Sequence, residues 1–374
     1  MYTSAQPSAG RIHGLDTLRA CAILLVLMYH YMVFVSNEAS FGILSEIGWI
    51  GVDLFFVLSG YLIGYQIFEE LRQKNELSIG RFYARRALRT LPNYYFILAI
   101  YFLFPLAAGG NPLTPLWKFL TFTQNFDLKS GSAFSHAWSL CIEEQFYLIL
   151  PLLALLVLGR LKTLRGMWLV IVGTMLFCAV MRFLSLEKVG TDGGLYRTYI
   201  YYSSWCRFDE LMPGVALALV KVYEPQRWQQ WISKGSRNLL FGLIVSGFAI
   251  ILFQYFNYDP VSGFSGFTTS FGYTFLAIGF AGLTLAALSP NSILGRLRVP
   301  GAASLAVWSY ALYLVHKPLM NALIPVFNDW NISVSGILGI GLMFLLSIIA
   351  AYLQFICIES PFMRLRSRWF PIKG

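Results

Sequence analysis

The stretch LDTLRACAILLVLMYHY, residues 15–31, is apolar enough to cross a bilayer, yet it carries the ionisable side chains of Asp16, Arg19 and His30. A charged group inside a bilayer is costly, so it normally faces a cavity or a partner and marks a functional site. Arg19 and His30 lie 11 positions apart, which is about 16 Å of helical rise and close to whole turns. Both therefore project from one stripe of a predicted helix, with Arg19 near the cytoplasmic edge and His30 in the outer half. Asp16 and Arg19 are i,i+3 neighbours and are expected to neutralise each other.

The composition extends this prediction to the whole chain. Hydrophobic residues make up 57% of the 374 residues and charged residues only 12%, whereas soluble globular chains carry roughly 25% charged residues. We predict an all-α fold, a polytopic transmembrane helical bundle. Hydropathy over a window of about 19 residues predicts about ten spans, near residues 15–35, 47–68, 91–109, 138–158, 167–184, 203–222, 239–256, 269–288, 304–325 and 335–357.

The distribution of basic residues predicts the orientation of these spans. Most Lys and Arg residues fall in the N-terminal segment, in alternate loops and in the C-terminal tail, and such segments are cytoplasmic by the positive-inside rule. Both termini are therefore expected in the cytoplasm. The first span is expected to remain in the mature protein, because its apolar stretch is too long for a signal peptide. We expect one integral-membrane domain over residues 1–374, with no appended soluble domain.

The charge and cysteine patterns argue against two classes of site. The net charge of +10 arises from basic residues spread over short loops, which suits contact with anionic membrane lipid rather than with nucleic acid. All five cysteines lie in predicted spans, without a CxxC pair or a neighbouring histidine. Neither a disulfide framework nor a metal site is therefore predicted.

Further ionisable groups are predicted at the depth of His30 in other spans. They are the side chains of Asp53, Glu143, Arg207, Asp209, Glu210 and His316. Together they could meet in one cavity in the outer half of the bilayer. A simpler alternative is that Arg207 and Glu210, which are i,i+3 neighbours, only neutralise each other. The sequence leaves both arrangements open.

Prolines and glycines in the spans give two further signals. A helical proline frees the carbonyl four residues earlier, here those of Tyr147, Asp209 and Leu314. Each freed acceptor lies close to a charged residue, as expected where backbone borders a polar cavity. The spacing of Gly60 and Gly64 predicts close packing of two helices.

The segment RFYARRALR, residues 81–89, is a basic stretch on the predicted cytoplasmic side. On a helix, Arg85 and Arg89 are i,i+4 neighbours, and Arg86 and Arg89 are i,i+3 neighbours. Their guanidinium groups would form a fork that fits phosphate oxygens. The alternative is a positive-inside anchor that binds no ligand.

Six sequence blocks resemble, in order, those of acyltransferase family 3. They are LDTLRACAILLVLMYH, GVDLFFVLSGYLIG, FYARRALRTLP, HAWSLCIEEQFYLILP, RFDELMPGVALA and YALYLVHKPL, spread over about residues 11–320. The first block has the R-x10-H spacing of Arg19 and His30. Cys141 stands where many members have serine, which is a change between two small residues.

The resemblance implies an integral-membrane O-acyltransferase of the plasma membrane, the bacterial inner membrane. Such an enzyme moves an acyl group, most often acetyl, from cytoplasmic acyl-CoA to a hydroxyl of a glycan. The acceptor is a cell-surface or exported polysaccharide, lipopolysaccharide or oligosaccharide, free or linked to lipid. Acyl-CoA is then a donor substrate, and no permanently bound cofactor is expected.

The resemblance also assigns roles to individual residues. His30 matches the family's essential histidine and Arg19 its motif partner. Arg86 and Arg89 match its R-x-x-R pair, and Glu143 matches the glutamate of the SLxxEEQFY block. The neutral imidazole of His30 is expected either to remove the hydroxyl proton as a general base or to carry the acyl group itself. The sequence does not separate these mechanisms.

The candidate site residues fall into two groups. The catalytic candidates are His30, Glu143, Arg19 and Asp16. The substrate-binding candidates are Arg86, Arg89, Arg85, Asp53, Arg207, Glu210 and His316.

A proton-coupled transporter or lipid flippase is the main alternative function. The same His, Asp, Glu and Arg side chains would then form a relay along an alternating-access path. This alternative predicts an inverted repeat, and none is apparent in the sequence. Binding of CoA is the property that separates the two functions.

Overall fold

The computed structural model describes residues 11–110 and 114–371, which fold almost entirely as helices. The α-helices are α1 His13–Tyr31, α2 Ile43–Ile47, α3 Ile50–Lys74, α4 Ile79–Leu103, α5 Pro105–Ala108, α6 Leu116–Leu120, α7 Trp138–Ala154, α8 Leu164–Val189, α9 Gly193–Tyr196, α10 Ser204–Arg207, α11 Met212–Tyr223, α12 Pro225–Ile232, α13 Gly235–Phe256, α14 Gly266–Leu288, α15 Ile293–Arg296, α16 Ala302–Asp329, α17 Ile337–Gln354 and α18 Ser360–Trp369. Short π-helical segments are Met32–Ser36, Leu155–Arg160, Arg197–Tyr201 and Phe355–Glu359, and 3-10 turns are Ser135–Ala137 and Phe208–Leu211. The strands β1 Tyr258–Asp259 and β2 Gly263–Phe264 pair antiparallel. The predicted all-α class is confirmed.

Seven helical stretches among the described residues are long and apolar enough to cross a membrane. They are His13–Ser36, Ile50–Lys74, Ser135–Arg160, Leu164–Val189, Gly235–Phe256, Gly266–Leu288 and Ile337–Trp369. They coincide with seven of the predicted spans and indicate an integral membrane protein. The other three predicted spans fall on α4, α11 and α16, so the count of ten is not confirmed. The cytoplasmic termini and the single domain stay predictions, and residues 1–10 and 372–374 lie outside the described residues.

The predicted span 203–222 is not one regular α-helix. It divides into α10, the turn Phe208–Leu211 and α11. Pro213 lacks the amide hydrogen that a continuous helix would bond to the carbonyl of Asp209. The buried carboxylate of Asp209 also pairs with Arg182 of α8 at 2.8 Å. The interruption therefore falls where the segment must place several charged side chains inside the bundle.

Helix packing brings the predicted site segments together. Helix α1 packs against α3, α14 and α16, and α3 packs along α11. A Cβ atom at Gly60 would overlap the carbonyl oxygen of Leu211, and one at Gly214 would overlap that of Val57. A Cβ atom at Gly64 would lie 3.1 Å from that of Ala218. The predicted packing role of the two α3 glycines is confirmed.

Candidate active site

Two cavities lie along α1, one at Arg19 and one at His30. The first has a volume of about 370 Å³, and we call it the arginine cavity; its lining includes Arg19, Arg86, Arg89, Glu143, Tyr147 and Arg366. The second has a volume of about 420 Å³, and we call it the histidine cavity; its lining includes His30, Phe34, Ser135, His136, Trp138 and Tyr202. Val52 of α3 borders both cavities. This side chain therefore lies between the two cavities.

The arginine cavity has an excess of positive charge. Four arginines and one carboxylate residue, Glu143, line it. The structure thus brings Arg19 together with Arg86 and Arg89. The guanidinium carbon of Arg86 lies 4.0 Å from the ring centre of Tyr147, and its Nε has no hydrogen-bond partner among the described residues. This arrangement suits a ligand with several negative charges.

Two predicted contacts near this cavity are not formed. Arg85 does not line the cavity, because its guanidinium donates to the carbonyl of Phe370. Helix α18 packs against α4 on that side, so the end of α18 supplies the acceptor. Asp16 pairs with Arg11 at 2.6 Å, whereas Arg19 faces the cavity. The predicted neutralisation of Arg19 by Asp16 is therefore replaced by a pair with Arg11.

Glu143 lies at a different depth from the one predicted. Its Oε1 accepts a hydrogen bond from Ser59 Oγ at 2.7 Å, and it lines the arginine cavity rather than the histidine cavity. Trp138, at the start of α7, already lies at the level of the histidine cavity. Glu143 is more than one helical turn further along and therefore lies beyond that level.

Asp53, Arg207 and Glu210 form a closed cluster outside both cavities. Arg207 pairs with Asp53 Oδ1 at 2.9 Å and with Glu210 Oε1 at 2.5 Å, and all three side chains are fully buried. The guanidinium carbon lies 4.0 Å from the ring centre of Tyr273. The predicted pairing of Arg207 with Glu210 is thus the arrangement found, with Asp53 as a second carboxylate partner of the same arginine. Because the cluster lines neither cavity, the prediction that it meets His30 in one cavity is wrong.

His30 and His316 form a hydrogen-bonded pair, as their similar predicted depth suggests. Nδ1 of His30 lies 2.7 Å from Nε2 of His316. The other nitrogen of His316, Nδ1, lies 2.9 Å from the carbonyl oxygen of Leu312. A carbonyl only accepts, so Nδ1 of His316 carries hydrogen, and Nε2 of the neutral ring accepts from Nδ1 of His30. The lone pair of His30 Nε2 is therefore left free at the histidine cavity.

A third histidine, His136, was not singled out by the sequence patterns. Its Nε2 donates to the carbonyl of Leu314 at 3.3 Å, and this is a carbonyl that Pro318 frees. Its ring centre lies 5.2 Å from that of His316 and 6.2 Å from that of His30. The predicted free acceptor at Leu314 was the available signal, since such a group requires a donor. Among the described residues, no group of three or more His, Cys, Asp or Glu side chains is placed to hold a metal ion.

Comparison with known families identifies the class of protein. The acyltransferase domain family matches residues 12–355. The chain belongs to this family, in agreement with the resemblance of its six sequence blocks. The matched range contains the lining residues of both cavities named above, except Arg366.

Two curated relatives are similar over most of the chain. Peptidoglycan O-acetyltransferase OatA of Listeria monocytogenes is 29% identical over 384 residues, which cover 96% of this chain and 57% of the relative. O-acetyltransferase OatA of Staphylococcus aureus is 27% identical over 332 residues, which cover 82% of this chain and 50% of the relative. The chain spans about half the length of the curated relatives it matches. No solved structure matches it.

Proposed function

We propose that the chain is a membrane O-acyltransferase that moves an acetyl group from acyl-CoA to a hydroxyl of a cell-surface or exported glycan. Acyl-CoA binds at the arginine cavity and the glycan at the histidine cavity, in the bacterial plasma membrane. The observation that carries this proposal is that a cavity rich in arginine and a cavity lined by His30 both border Val52. Membership of the acyltransferase family supports the reaction class.

The charge of the arginine cavity supports a CoA donor. CoA carries several phosphate charges, and guanidinium groups bind phosphate oxygens through parallel hydrogen bonds. Arg86 offers a buried Nε that has no partner among the described residues. The predicted orientation of the spans puts this cavity on the cytoplasmic side, where acyl-CoA is available.

The walls of the histidine cavity support a glycan acceptor. Its lining includes Trp49, Trp138, Tyr201 and Tyr202. Aromatic rings cover the apolar faces of a sugar, while a few polar groups fix its hydroxyls. The names of the relatives, O-acetyltransferases of which one acts on peptidoglycan, support both the glycan and the acetyl group.

In the proposed reaction, Nε2 of His30 takes the proton of the acceptor hydroxyl as the hydroxyl oxygen bonds to the thioester carbonyl carbon. Such general-base assistance is typically worth about 10²–10⁴-fold in rate. The tetrahedral intermediate then collapses, the carbon–sulfur bond breaks, and the thiolate of CoA takes the proton from His30. His316 holds His30 in the required tautomer through the 2.7 Å hydrogen bond. The pantetheine arm spans the distance from the arginine cavity past Val52.

The buried charges favour this function over proton-coupled transport. A relay requires titratable groups along a continuous path. Asp53, Arg207 and Glu210 instead pair with one another away from both cavities. Four arginines and Glu143 line one cavity, and His30, His136 and Arg197 line the other.

Transfer from radiolabelled acetyl-CoA tests the proposal. The full chain in lipid nanodiscs is mixed with soluble, uncross-linked peptidoglycan glycan strands, and label on the strands is measured. We expect label only with both substrates present, and we expect CoA to raise the melting temperature more than pantetheine, which lacks the phosphates. Absence of both labelling and stabilisation overturns the proposal. Stabilisation with label on a different polysaccharide supports the donor site and changes the acceptor.

A further inference from the structure

Lys317 is a buried cation without a matching carboxylate. Its exposed fraction is 3%, and no carboxylate of the described residues lies within 4.0 Å of its ammonium group. The nitrogen Nζ donates to the carbonyl of Ser132 at 2.9 Å and to Ser135 Oγ at 3.0 Å. It also lies 4.3 Å from the ring centre of Phe34. The two donations and the ring contact suit a protonated ammonium group, and no anion of the described residues compensates that charge.

Ser135 connects this charge to the histidine cavity. It lies in the turn Ser135–Ala137 and lines the cavity together with His30. A hydroxyl both accepts and donates, and the oxygen of Ser135 already accepts from Lys317. Within the part of the chain that the structure describes, no acceptor takes the hydroxyl hydrogen of Ser135. That hydrogen is therefore available to a ligand in the cavity.

We propose that Ser135 is a catalytic residue that donates a hydrogen bond to the negative oxygen formed on the thioester carbonyl. Lys317 is a positioning residue that strengthens this donor. The inference rests on the proposed function. As the acceptor oxygen bonds to the carbonyl carbon, its proton passes to His30 and the π electron pair moves to the carbonyl oxygen. On collapse that pair returns, the carbon–sulfur bond breaks, and the thiolate takes the proton from His30. Ser135 keeps its own proton throughout.

The positions of the base and the donor support this assignment. Phe34 contacts both groups, since its ring centre lies 5.1 Å from that of His30 and 4.3 Å from Nζ of Lys317. Lys317 is not among the residues that line the cavity, so its charge acts there through the Ser135 hydroxyl that it contacts. A donor polarised by a cation makes a stronger bond to an anion than a neutral donor does. In a buried site, such a preorganised donor acts mainly on the transition state.

Substitution of Ser135 tests the proposed donor in the same acetyl-transfer assay. Ser135→Ala is expected to lower kcat by about 10²–10³-fold, with KM for acetyl-CoA unchanged, because the bond forms only in the transition state. Ser135→Thr keeps a hydroxyl and is expected to restore part of the rate. Ser132→Ala is the matched control, since Lys317 contacts the backbone carbonyl of Ser132, and it is expected to keep the wild-type kcat.

Lys317 is tested by its dependence on Ser135. Lys317→Met is expected to lower kcat, and the double variant with Ser135→Ala is expected to be no slower than Ser135→Ala alone. Stabilisation by CoA checks that each variant is folded. Wild-type kcat in Ser135→Ala, or independent losses in the double variant, overturns the inference while the proposed function stands. A wild-type protein that transfers no acetyl group from acetyl-CoA overturns the proposed function instead.

Discussion

The two ring nitrogens of His30 have different surroundings, and this difference leads to a prediction. Nδ1 bonds to His316, whereas Nε2 faces the histidine cavity. His30→Ala is expected to abolish acetylation of the glycan, because the base is removed. Stabilisation by acetyl-CoA is expected to stay near the wild-type value, since His30 does not line the arginine cavity. Radiolabel transfer and thermal unfolding measure the two properties.

The same variant separates the two mechanisms of His30. Wild-type protein incubated with labelled acetyl-CoA and no acceptor would retain label if His30 carried the acetyl group, and His30→Ala would lose that label. A general base leaves both proteins unlabelled. Glycan acetylation by His30→Ala at the wild-type rate would move the base to another residue, with His316 and His136 the next to substitute.

Arg86 and Arg89 are expected to bind the phosphates of the donor. Replacing both with alanine is expected to weaken CoA binding by at least about tenfold, because charge-assisted hydrogen bonds contribute roughly 1.5–3 kcal/mol each. Lysine at either position is expected to restore only part of the affinity, since it cannot bind in a bidentate manner. Titration calorimetry with CoA measures the affinity.

Arg85→Ala is the matched control for this pair. Arg85 belongs to the same basic segment, but its guanidinium contacts the carbonyl of Phe370. CoA affinity is therefore expected to remain unchanged in Arg85→Ala. An unchanged affinity in the Arg86→Ala, Arg89→Ala double variant would show that these arginines serve only as a membrane anchor.

At the scale of helices, the close contact of α3 with α11 and the turn before it depends on glycines, which have no Cβ atom. A methyl group at Gly60 would overlap the backbone of Leu211, so Gly60→Ala is expected to lower stability by about 1–3 kcal/mol. Gly173→Ala is the control, because a Cβ at this exposed position of α8 meets no atom within 4 Å. Thermal unfolding in nanodiscs compares the two. Equal melting temperatures would contradict the tight contact.

The sequence predicts helices better than it predicts their interruptions. Long apolar runs predict α1, α3 and α8, because hydropathy alone decides whether a segment enters the membrane. The interruption at Phe208–Leu211 depends on tertiary partners, since Asp209 pairs with Arg182 of another helix. A hydropathy window averages over such partners and therefore extends the span through the turn.

At the scale of the whole molecule, acetyl transfer requires that the two cavities communicate. Val52 borders both, so Val52→Trp is expected to close the passage between them. CoA stabilisation is expected to persist while label transfer to the glycan falls. Val52→Ala is the control, because it removes bulk and is expected to keep transfer. Wild-type transfer by Val52→Trp would show that the acetyl group takes another path.

The sequence predicts individual residues of the candidate site but not the contacts between their side chains. The spacing of Arg19 and His30 along one helix predicts their shared stripe, because both positions obey helical geometry. The pairing of Asp53 with Arg207 joins residues 154 positions apart. No local pattern encodes such a contact, and depth counted from span ends placed Glu143 at the wrong level.

The closed cluster of Asp53, Arg207 and Glu210 also constrains how the protein is made. The partner of Asp53 follows it by 154 residues. At about 5–20 residues per second, the ribosome needs roughly 8–30 s to reach Arg207. During that interval α3 has left the ribosome with an unmatched carboxylate, which disfavours its stable residence in lipid. The packing of α3 into its final position therefore requires the second half of the chain. The bundle is completed late in synthesis.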